Sequence, residues 1–367
     1  LYDLEVHRLE QAHLKGAPLA HLNEEQQKVL KGLRASKKQV NLLHGVTSSG
    51  KTEVYIHLIK TIISSGKQVL FLVPEIALTT QLVARLKYAF ADLVGVYHYR
   101  FGMNERAELW RDVKSNLRFP IVIGARSSVF LPFNSLGLII VDEEHESSFK
   151  QQDPAPRYQA RDLAVFMGKH YNCQVILGSA TPSLETAYNV NKGKYGLFSL
   201  KQRFGGFSFP NIQVVDIGYE YKRKRMNGHF SESLLIAIQL TLERGEQVLL
   251  FQNRRGFAPQ QECQSCGHVP HCKHCDVSLT YHKSTHRLRC HYCGYTEKTA
   301  TTCKACHKYN LKLKGFGTEK IEDELQQFFP DRTIRRMDLD TTRKKDAYEN
   351  ILNAFEDQEV DVLVGTQ

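Results

Sequence analysis

The pattern of apolar residues predicts a parallel β-sheet in the first half of the chain. Short apolar runs rich in β-branched residues alternate with amphipathic stretches such as residues 78–90. Strands covered on both faces of a parallel sheet have this nearly continuous apolar character. The predicted strands are residues 40–45, 68–74, 94–98, 120–124, 136–143 and 174–180. Strands that alternate with helices predict a doubly wound α/β lobe over residues 22–200.

A second α/β pattern begins after a change in composition. Residues 201–228 are rich in Gly and aromatic residues, contain the basic run 221–225, and are predicted to be a linker. A second lobe is predicted over residues 229–262 and 307–367. Its predicted elements are helices 231–245 and 318–329 and strands 247–252, 333–338 and 360–365. The two parts of this lobe flank a cysteine-rich segment, residues 263–306.

Length and composition predict a globular protein of two or three domains. The chain has 367 residues, of which 42% are hydrophobic and 24% are charged. No apolar run approaches the ~20 residues that cross a bilayer, so we expect a cytoplasmic protein without a membrane partner. The formal charge of +10 favours a polyanionic partner such as nucleic acid. Charge alone fits an ordinary basic protein equally well.

A phosphate-binding loop is predicted between the first strand and the helix that follows it. The loop matches the pattern GxxxxGK[ST] and consists of Gly45, Val46, Thr47, Ser48, Ser49, Gly50, Lys51 and Thr52. In this setting backbone N–H groups bind phosphate, Lys51 contacts the terminal phosphates and Thr52 binds Mg²⁺. A structural turn rich in Gly and Ser is the alternative. The motif predicts ATP and Mg²⁺ as cofactors.

Acidic residues at the end of a buried strand predict the second half of a nucleotide site. The tetrapeptide Asp142-Glu143-Glu144-His145 follows the apolar residues 136–141. Ligands bind at the carboxyl ends of the strands in such sheets. Asp142 is therefore predicted to hold Mg²⁺ and Glu143 to polarise the attacking water. A surface acidic cluster that begins a helix is the alternative. Residues 179–181, Ser-Ala-Thr, are predicted either to sense nucleotide or to cap a helix.

Eight of the nine cysteines predict two zinc sites. They form four CxxC pairs, Cys263/Cys266, Cys272/Cys275, Cys290/Cys293 and Cys303/Cys306. Paired cysteines in a large chain without a leader favour metal over disulfides, and eight thiolates suit two structural Cys₄ zinc centres. Residues 277–289 predict a hairpin that brings the second and third pairs together. The predicted centres are therefore nested, with the first and fourth pairs at the outer one.

The order of the motifs resembles that of superfamily 2 helicases. The segments are, in order, GVTSSGKTEVY, FLVPEIALTTQL, IVIGARSSVFLPF, DEEH, GSATPS, FQNRRGFAP and LVGTQ. Together with the paired cysteines after NRRG, they resemble the PriA family of bacterial replication-restart helicases (primosomal protein N′). The resemblance covers residues 22–367.

The resemblance implies a DNA motor. It implies two RecA-like lobes, ATP-driven movement from 3′ to 5′ along single-stranded DNA, and primosome assembly at stalled forks. The implied partners are single-stranded and forked DNA, other primosome proteins and single-stranded DNA-binding protein. Gln26 would contact adenine, His145 would couple nucleotide to DNA, and Arg254 and Arg255 would line the facing lobe. The alternatives are another superfamily 2 motor and a DNA-binding scaffold that binds nucleotide without turnover.

One segment departs from the family pattern. After DEEH the family has an aromatic-rich loop that couples DNA to the ATPase. This sequence keeps Phe149, Arg157 and Tyr158 there, but has Pro-Ala-Pro at 154–156 where the family commonly has a Trp. Fewer rings to stack on bases predict weaker coupling.

The two ends of the chain suggest a truncated protein. Residues 1–21 begin like a helix already under way and are predicted to be the remnant of an upstream region. The last residue, Gln367, lies inside the motif LVGTQ, so the last helicase motif and its arginine are expected to be missing. We therefore expect this chain to bind nucleotide but to hydrolyse it weakly or not at all. We also expect apolar surface to be exposed near residues 360–367.

Overall fold

The fold was taken from a computed structural model. It describes residues 19–74, 80–97, 102–115, 118–153, 155, 157–252, 260–275, 277–282, 286–290, 292–314, 318–338, 341 and 347–365. The chain divides into two compact units, the first ending at Asn211 and the second beginning at Ile212. This division lies within the predicted linker, and the finer domain bounds stay predictions. The predicted helix at residues 1–13 lies outside the described residues, as do Arg254, Arg255 and Gln367.

The first unit contains a seven-stranded sheet in which all neighbouring strands are parallel. Its strands are β1 Val40–Gly45, β2 Gln68–Leu72, β3 Val94–Tyr97, β4 Ile121–Gly124, β5 Leu136–Asp142, β6 Gln174–Ser179 and β7 Gly196–Leu200. Their order across the sheet is β3-β4-β2-β5-β6-β1-β7. The six predicted strands are all present. The sequence does not predict β7, because this edge strand fully buries only Leu200 and lacks a continuous apolar run.

Helices cover both faces of this sheet. They are α1 Glu24–Ala35, α2 Lys51–Ile63, α3 Thr80–Phe90, α4 Met103–Ser115, α5 Ala160–His170 and α6 Leu184–Asn191. One apolar layer includes Leu33 of α1, Ile59 of α2 and Leu86 of α3. The other includes Val113 of α4 and Ala164 of α5. These two layers confirm the predicted doubly wound lobe. Because β5, β6 and β1 are neighbours, the loops after them meet at one edge of the sheet.

The second unit combines a small α/β core with a cysteine-rich part. Its elements are α7 Ile217–Lys222, β8 Met226–Asn227, β9 Phe230–Ser231, α8 Glu232–Glu243, β10 Val248–Phe251, β11 Gln260–Cys263, β12 Thr280–His282, β13 Arg287–Arg289, β14 Thr296–Lys298, β15 Leu311–Lys314, α9 Thr318–Phe328, β16 Ile334–Met337, α10 Ala347–Glu356 and β17 Val362–Gly365. Three strands form a parallel sheet in the order β10-β17-β16. Its core includes Ile238 of α8 and Leu325 of α9.

The expectation of exposed apolar surface near 360–367 was wrong for the described part of that range. Strand β17 is the central strand of its sheet, and Val360, Val362 and Val364 are buried. The exposed apolar side chains lie instead on β10, where Leu249 and Phe251 are 64% and 62% exposed. A central strand is covered on both sides by its neighbours, whereas an edge strand is not.

The cysteine-rich part is built from two small antiparallel sheets. Strand β11 pairs with β15 and so joins the two ends of this part. Strands β12, β13 and β14 form a three-stranded sheet, in which β12 and β13 are the predicted hairpin. Within the described ranges, no helix is long and apolar enough to cross a bilayer.

Candidate nucleotide site and cysteine clusters

The predicted phosphate-binding loop connects β1 to the N-terminus of α2. Gly50 precedes the helix with a φ of 81°, and Ser48 has a φ of 62°. Glycine adopts this left-handed conformation without the steric cost that a side chain adds. No side chain caps α2, and the first N–H groups of a helix have no acceptor within the helix. The loop therefore presents backbone donors and the positive end of the helix dipole to an anion.

Side chains of the loop are packed closely around Gly45. The Lys51 ammonium donates to the carbonyl oxygen of Gly45 at 2.9 Å. A Cβ atom at Gly45 would lie 2.6 Å from the Ser49 hydroxyl oxygen, which leaves no room for a larger residue. The Ser49 hydroxyl is buried and has no hydrogen-bond partner among the described residues. Thr47 and Ser48 are exposed, and Thr52 is half-buried. A buried hydroxyl without a partner beside a lysine suits an anionic ligand.

Gln26 holds the phosphate-binding loop from outside. Its side-chain amide donates to the Ser49 carbonyl oxygen at 3.0 Å. Its side-chain oxygen accepts from the Asn23 backbone N–H at 2.9 Å, which completes a capping box at the start of α1. Gln26 is 1% exposed. The spacing of Asn23 and Gln26 is typical of a capping box, but it does not indicate the contact of Gln26 with the Ser49 carbonyl. The adenine contact stays a prediction.

Asp142 is half-buried at the carboxyl end of β5. The Tyr55 hydroxyl, from α2, donates to Asp142 Oδ1 at 3.0 Å. Burial and the Glu143 carboxylate raise the pKa of Asp142 to about 6, against the opposing effects of Lys51 and Tyr55. Burial also raises the pKa of Tyr55 well above its usual value, so this hydroxyl stays a donor. A Cβ atom at Gly178 of β6 would lie 1.7 Å from the Tyr55 hydroxyl, so only glycine fits there.

Glu143 and His145 form a short polar chain with the end of β6. The His145 Nδ1 atom lies 2.8 Å from the Ser179 hydroxyl and 3.6 Å from a Glu143 carboxylate oxygen. Its Nε2 atom lies 3.4 Å from the Thr181 hydroxyl. Neither Ser179 nor Thr181 caps the next helix, because the N-cap of α6 is Ser183. Glu143 has a φ of 47°, a conformation that costs of order 1–3 kcal/mol for a non-glycine residue.

Phe149, which the resemblance places in the aromatic-rich loop, is not available to stack on bases. Phe149 ends a 3₁₀ helix, Ser147–Phe149, and is fully buried in the apolar layer beneath α5. Tyr158 is half-buried and contacts Phe130, whose ring is 4.8 Å away between centroids. Arg157 is exposed. The spacing of the aromatic residues after the acidic tetrapeptide resembled a binding loop, but one of them belongs to the core.

The eight paired cysteines lie in two groups of four. One contains Cys263, Cys266, Cys303 and Cys306, and the other contains Cys272, Cys275, Cys290 and Cys293. Within each group the sulfur atoms lie within 4.8 Å of one another. The sulfur–sulfur separations include 3.6 Å for Cys263–Cys306 and Cys266–Cys303 and 3.4 Å for Cys272–Cys293. The second group is the set of cysteines that the predicted hairpin brings together, and the first group is the set that it leaves outside.

The geometry of both groups suits zinc better than disulfides. A disulfide requires a sulfur–sulfur distance of about 2.05 Å, far below the separations here. Four thiolates about 2.3 Å from a tetrahedral Zn²⁺ lie about 3.8 Å apart. Backbone N–H groups donate to the sulfurs of Cys272, Cys290 and Cys303, each at 3.4 Å. Such donors stabilise thiolate over thiol, which is the form that binds metal.

The fold and site define a class of protein. A family model described as DEAD/DEAH box helicase matches residues 23–190, which include the phosphate-binding loop and the acidic strand end. The DUF1998 helicase MrfA bound to DNA has a similar fold, with a TM-score of 0.56 and 14% identity over 98% of this chain and 44% of that one. RecG bound to a three-way DNA junction has a TM-score of 0.51 and 16% identity over 98% and 38%. The chain has the fold of the RecA-like lobes of helicases.

The cysteine-rich part identifies the family within this class. A model of the PriA DNA helicase Cys-rich region matches residues 272–298. Replication restart protein PriA of Bacillus subtilis is 42% identical over 94% of this chain and 43% of its own length. The protein of the same name from Chlamydia trachomatis is 42% identical over the whole chain and 49% of its own length. The chain belongs to the PriA family of replication restart proteins. It spans about half the length of the curated relatives that it matches.

Proposed function

We propose that this chain is the ATP-dependent motor of a replication restart protein. It moves from 3′ to 5′ along DNA and takes part in primosome assembly at stalled forks in the bacterial cytoplasm. The observation that carries the proposal is the edge of the first sheet where β1, β5 and β6 end. A phosphate-binding loop, the half-buried Asp142 and the Glu143–His145–Ser179 chain meet there. The formal charge of +10 suits a nucleic-acid partner.

The residues at this edge divide the chemistry of ATP hydrolysis among them. Lys51 and the N-terminus of α2 would bind the phosphates. Thr52 and Asp142 would hold Mg²⁺, which neutralises charge on the phosphates when bound. Glu143 would accept a hydrogen bond from the attacking water and orient it. His145 connects the Glu143 carboxylate to the Ser179 hydroxyl, so displacement of one of these groups would displace the other.

The two cysteine groups would act as structural zinc centres. Each supplies four sulfur ligands, which closes the coordination sphere and leaves no position for a substrate. Around them, Tyr292 and Tyr309 are 82% and 85% exposed, and Lys304 and Lys308 are exposed as well. Exposed rings next to basic side chains suit single-stranded DNA, whose bases stack and whose phosphates attract cations.

The proposal is tested by ATP hydrolysis with the full-length protein, because residues 1–367 span about half the length of their curated relatives. Forked and single-stranded DNA are expected to stimulate turnover, and RNA is not. Lys51→Ala is expected to weaken nucleotide binding because a charge-assisted contact is lost. Glu143→Gln is expected to keep binding and to slow turnover by about 10²–10⁴-fold. Lys60→Ala, an exposed change near the end of the same helix, is the control.

Two outcomes would contradict the proposal. Nucleotide affinity unchanged by Lys51→Ala would remove the phosphate-binding loop from the site. Normal turnover in Glu143→Gln would remove the assigned water-orienting residue. Binding without DNA-stimulated turnover would favour a scaffold. Direction is tested separately, with partial duplexes that carry either a 3′ or a 5′ single-stranded tail. Titration of the full chain with single-stranded DNA-binding protein tests the proposed protein partner.

A further inference from the structure

Glu143 is held in a conformation that its own side chain does not favour. Its φ of 47° lies in the left-handed region, where non-glycine residues remain only if the surrounding structure fixes them. Two backbone bonds surround it: Glu144 N–H donates to Gly178 O at 3.0 Å, and Glu146 N–H donates to Glu143 O at 2.9 Å. The turn therefore depends on how firmly Glu144 is anchored.

The Glu144 carboxylate is the anchor of this turn. Glu144 is fully buried, so its charge must be compensated within the protein. One carboxylate oxygen accepts from the Ser183 backbone N–H at 2.8 Å. The other accepts from the Ser183 hydroxyl at 2.9 Å and the Thr186 hydroxyl at 3.0 Å. These contacts attach the turn to the first residues of α6.

Arg161 supplies the compensating positive charge. Its guanidinium donates to Glu144 Oε2 at 3.1 Å and to the Ser183 hydroxyl at 2.7 Å. Arg161 is 8% exposed, and its Nε donates to Asp162 at 3.1 Å. An ion pair removed from water and supported by further hydrogen bonds has a fixed geometry, because breaking it leaves a buried charge.

This network joins three segments that surround the nucleotide site. Glu144 follows β5, Ser183 follows β6, and Arg161 lies in the first turn of α5, directly after segment 150–159. Both ends of that segment are tied, since Lys150 and Gln159 form a β-bridge and Arg126 donates to the carbonyl oxygens of Ser148 and Lys150. A shift in any one of the three segments would be transmitted to Glu144.

We propose that Glu144 and Arg161 are positioning residues that hold the Glu143 carboxylate in the orientation needed to activate water. The inference rests on the proposed function, because it assumes that Glu143 acts on the attacking water. The side-chain hydrogen bonds of both residues go to Ser183, Thr186, Asp162 and each other, and not to the phosphate-binding loop. Loss of either one releases the left-handed turn, so turnover falls while nucleotide still binds.

Variants of the full-length protein test whether Glu144 and Arg161 position Glu143 or only stabilise the fold. Glu144→Gln keeps the volume of the site and Arg161→Lys keeps the positive charge, but each weakens the ion pair. Affinity for fluorescent ADP is expected to stay within about twofold of wild type. DNA-stimulated kcat is expected to fall by about 10–100-fold, because displacing a catalytic group by about 1 Å has an effect of this size. In a Glu143→Gln background, Glu144→Gln is expected to lower kcat no further. Ser183→Ala, a smaller change to the same network, is used if either variant fails to fold.

A matched control distinguishes this effect from loss of folded protein. Gln68 is also fully buried and hydrogen-bonded, accepting from the Asn134 and Ser135 N–H groups at 2.9 and 3.1 Å, but it lies at the opposite end of the sheet. Gln68→Met is expected to lower stability without lowering kcat per folded molecule. Equal losses of kcat in Glu144→Gln and Gln68→Met would overturn the proposal. So would a further fall in kcat when Glu144→Gln is added to Glu143→Gln.

Hydrogen exchange tests the positioning without turnover. In Glu144→Gln the amides of residues 143–146 are expected to exchange faster than in wild type, while those of β2 do not change. Exchange at 143–146 that stays as in wild type would overturn the proposal. If the full-length protein turns over no ATP, the proposed function fails, whereas the exchange result still decides whether Glu144 holds the turn.

Discussion

The Tyr55 hydroxyl offers a sharp test of how the Mg²⁺ ligand is held. Tyr55→Phe keeps the ring, which is fully buried and packs edge-on against Phe71 with centroids 5.5 Å apart. The change removes only the donor to Asp142 Oδ1. A hydrogen bond to a charged group contributes about 1.5–3 kcal/mol, and a buried acceptor left with fewer partners adds to the loss. We expect the free energy of unfolding of the first unit to fall by that amount.

Tyr171→Phe is the matched control for this change. Its hydroxyl donates at 3.0 Å to the neutral carbonyl oxygen of Phe133 in the same unit, away from the nucleotide site. Loss of a neutral hydrogen bond costs about 0.5–1.5 kcal/mol. The two variants are compared by denaturant unfolding and by ADP titration with and without Mg²⁺. Only Tyr55→Phe is expected to weaken the Mg²⁺-dependent part of binding, because only that hydroxyl orients Asp142.

The result that would refute this reasoning is equality of the two variants. If Tyr55→Phe destabilises no more than Tyr171→Phe and leaves Mg²⁺-dependent binding unchanged, then Asp142 does not need the tyrosine to be oriented. Asp142 would then be held by the Glu143 backbone N–H and by its own packing at the end of β5.

Three further changes test the candidate nucleotide site and the cysteine groups. Gly178→Ala is expected to displace the Tyr55 hydroxyl and to cost about 1–3 kcal/mol through overpacking, and unfolding and ADP titration measure both effects. Gln26→Ala removes the bond to the Ser49 carbonyl and half of a capping box, so ADP affinity should fall; unchanged affinity would leave Gln26 as a helix cap only. Cys272→Ser should reduce bound zinc, measured by elemental analysis, from two ions to one without changing ADP affinity.

The sequence predicts the fold wherever apolar runs are continuous. Strands β1, β2, β4, β5 and β6 lie inside the sheet and are largely buried, and the edge strand β3 buries its first two residues. Their continuous apolar runs are typical of buried strands. Strand β7 is half-exposed at the edge, so its sequence carries no comparable signal. Helix α10 was missed for a related reason: it lies between two predicted strands, and Ala354 is its one fully buried residue among those described.

The sequence likewise predicts some residues of the candidate site and misses others. The phosphate-binding loop and the cysteine pairs have fixed spacings, because phosphate and zinc impose the geometry that those spacings satisfy. Tyr55, Gly178 and Gln26 act through contacts between segments that are distant in sequence, and no local pattern marks such contacts. Phe149 shows the converse error, since a local pattern suggested a surface role and packing placed the ring in the core.

The buried polar groups of the first unit explain why its chemistry is concentrated at one edge of the sheet. At the amino ends of the strands, the Gln68 side chain forms hydrogen bonds with the backbone of Val113, Asn134 and Ser135. These bonds connect chain segments and do not form part of the candidate site. At the carboxyl ends, Glu144 and Ser179 are just as buried, but their partners include residues adjacent to a loop suited to phosphate. Both ends must satisfy the same requirement that a buried polar group be paired. The N-terminus of α2, the carboxylates and the left-handed turn at Glu143 come together at the carboxyl ends of the strands. Pairing the buried polar groups there therefore also forms a site for an anion.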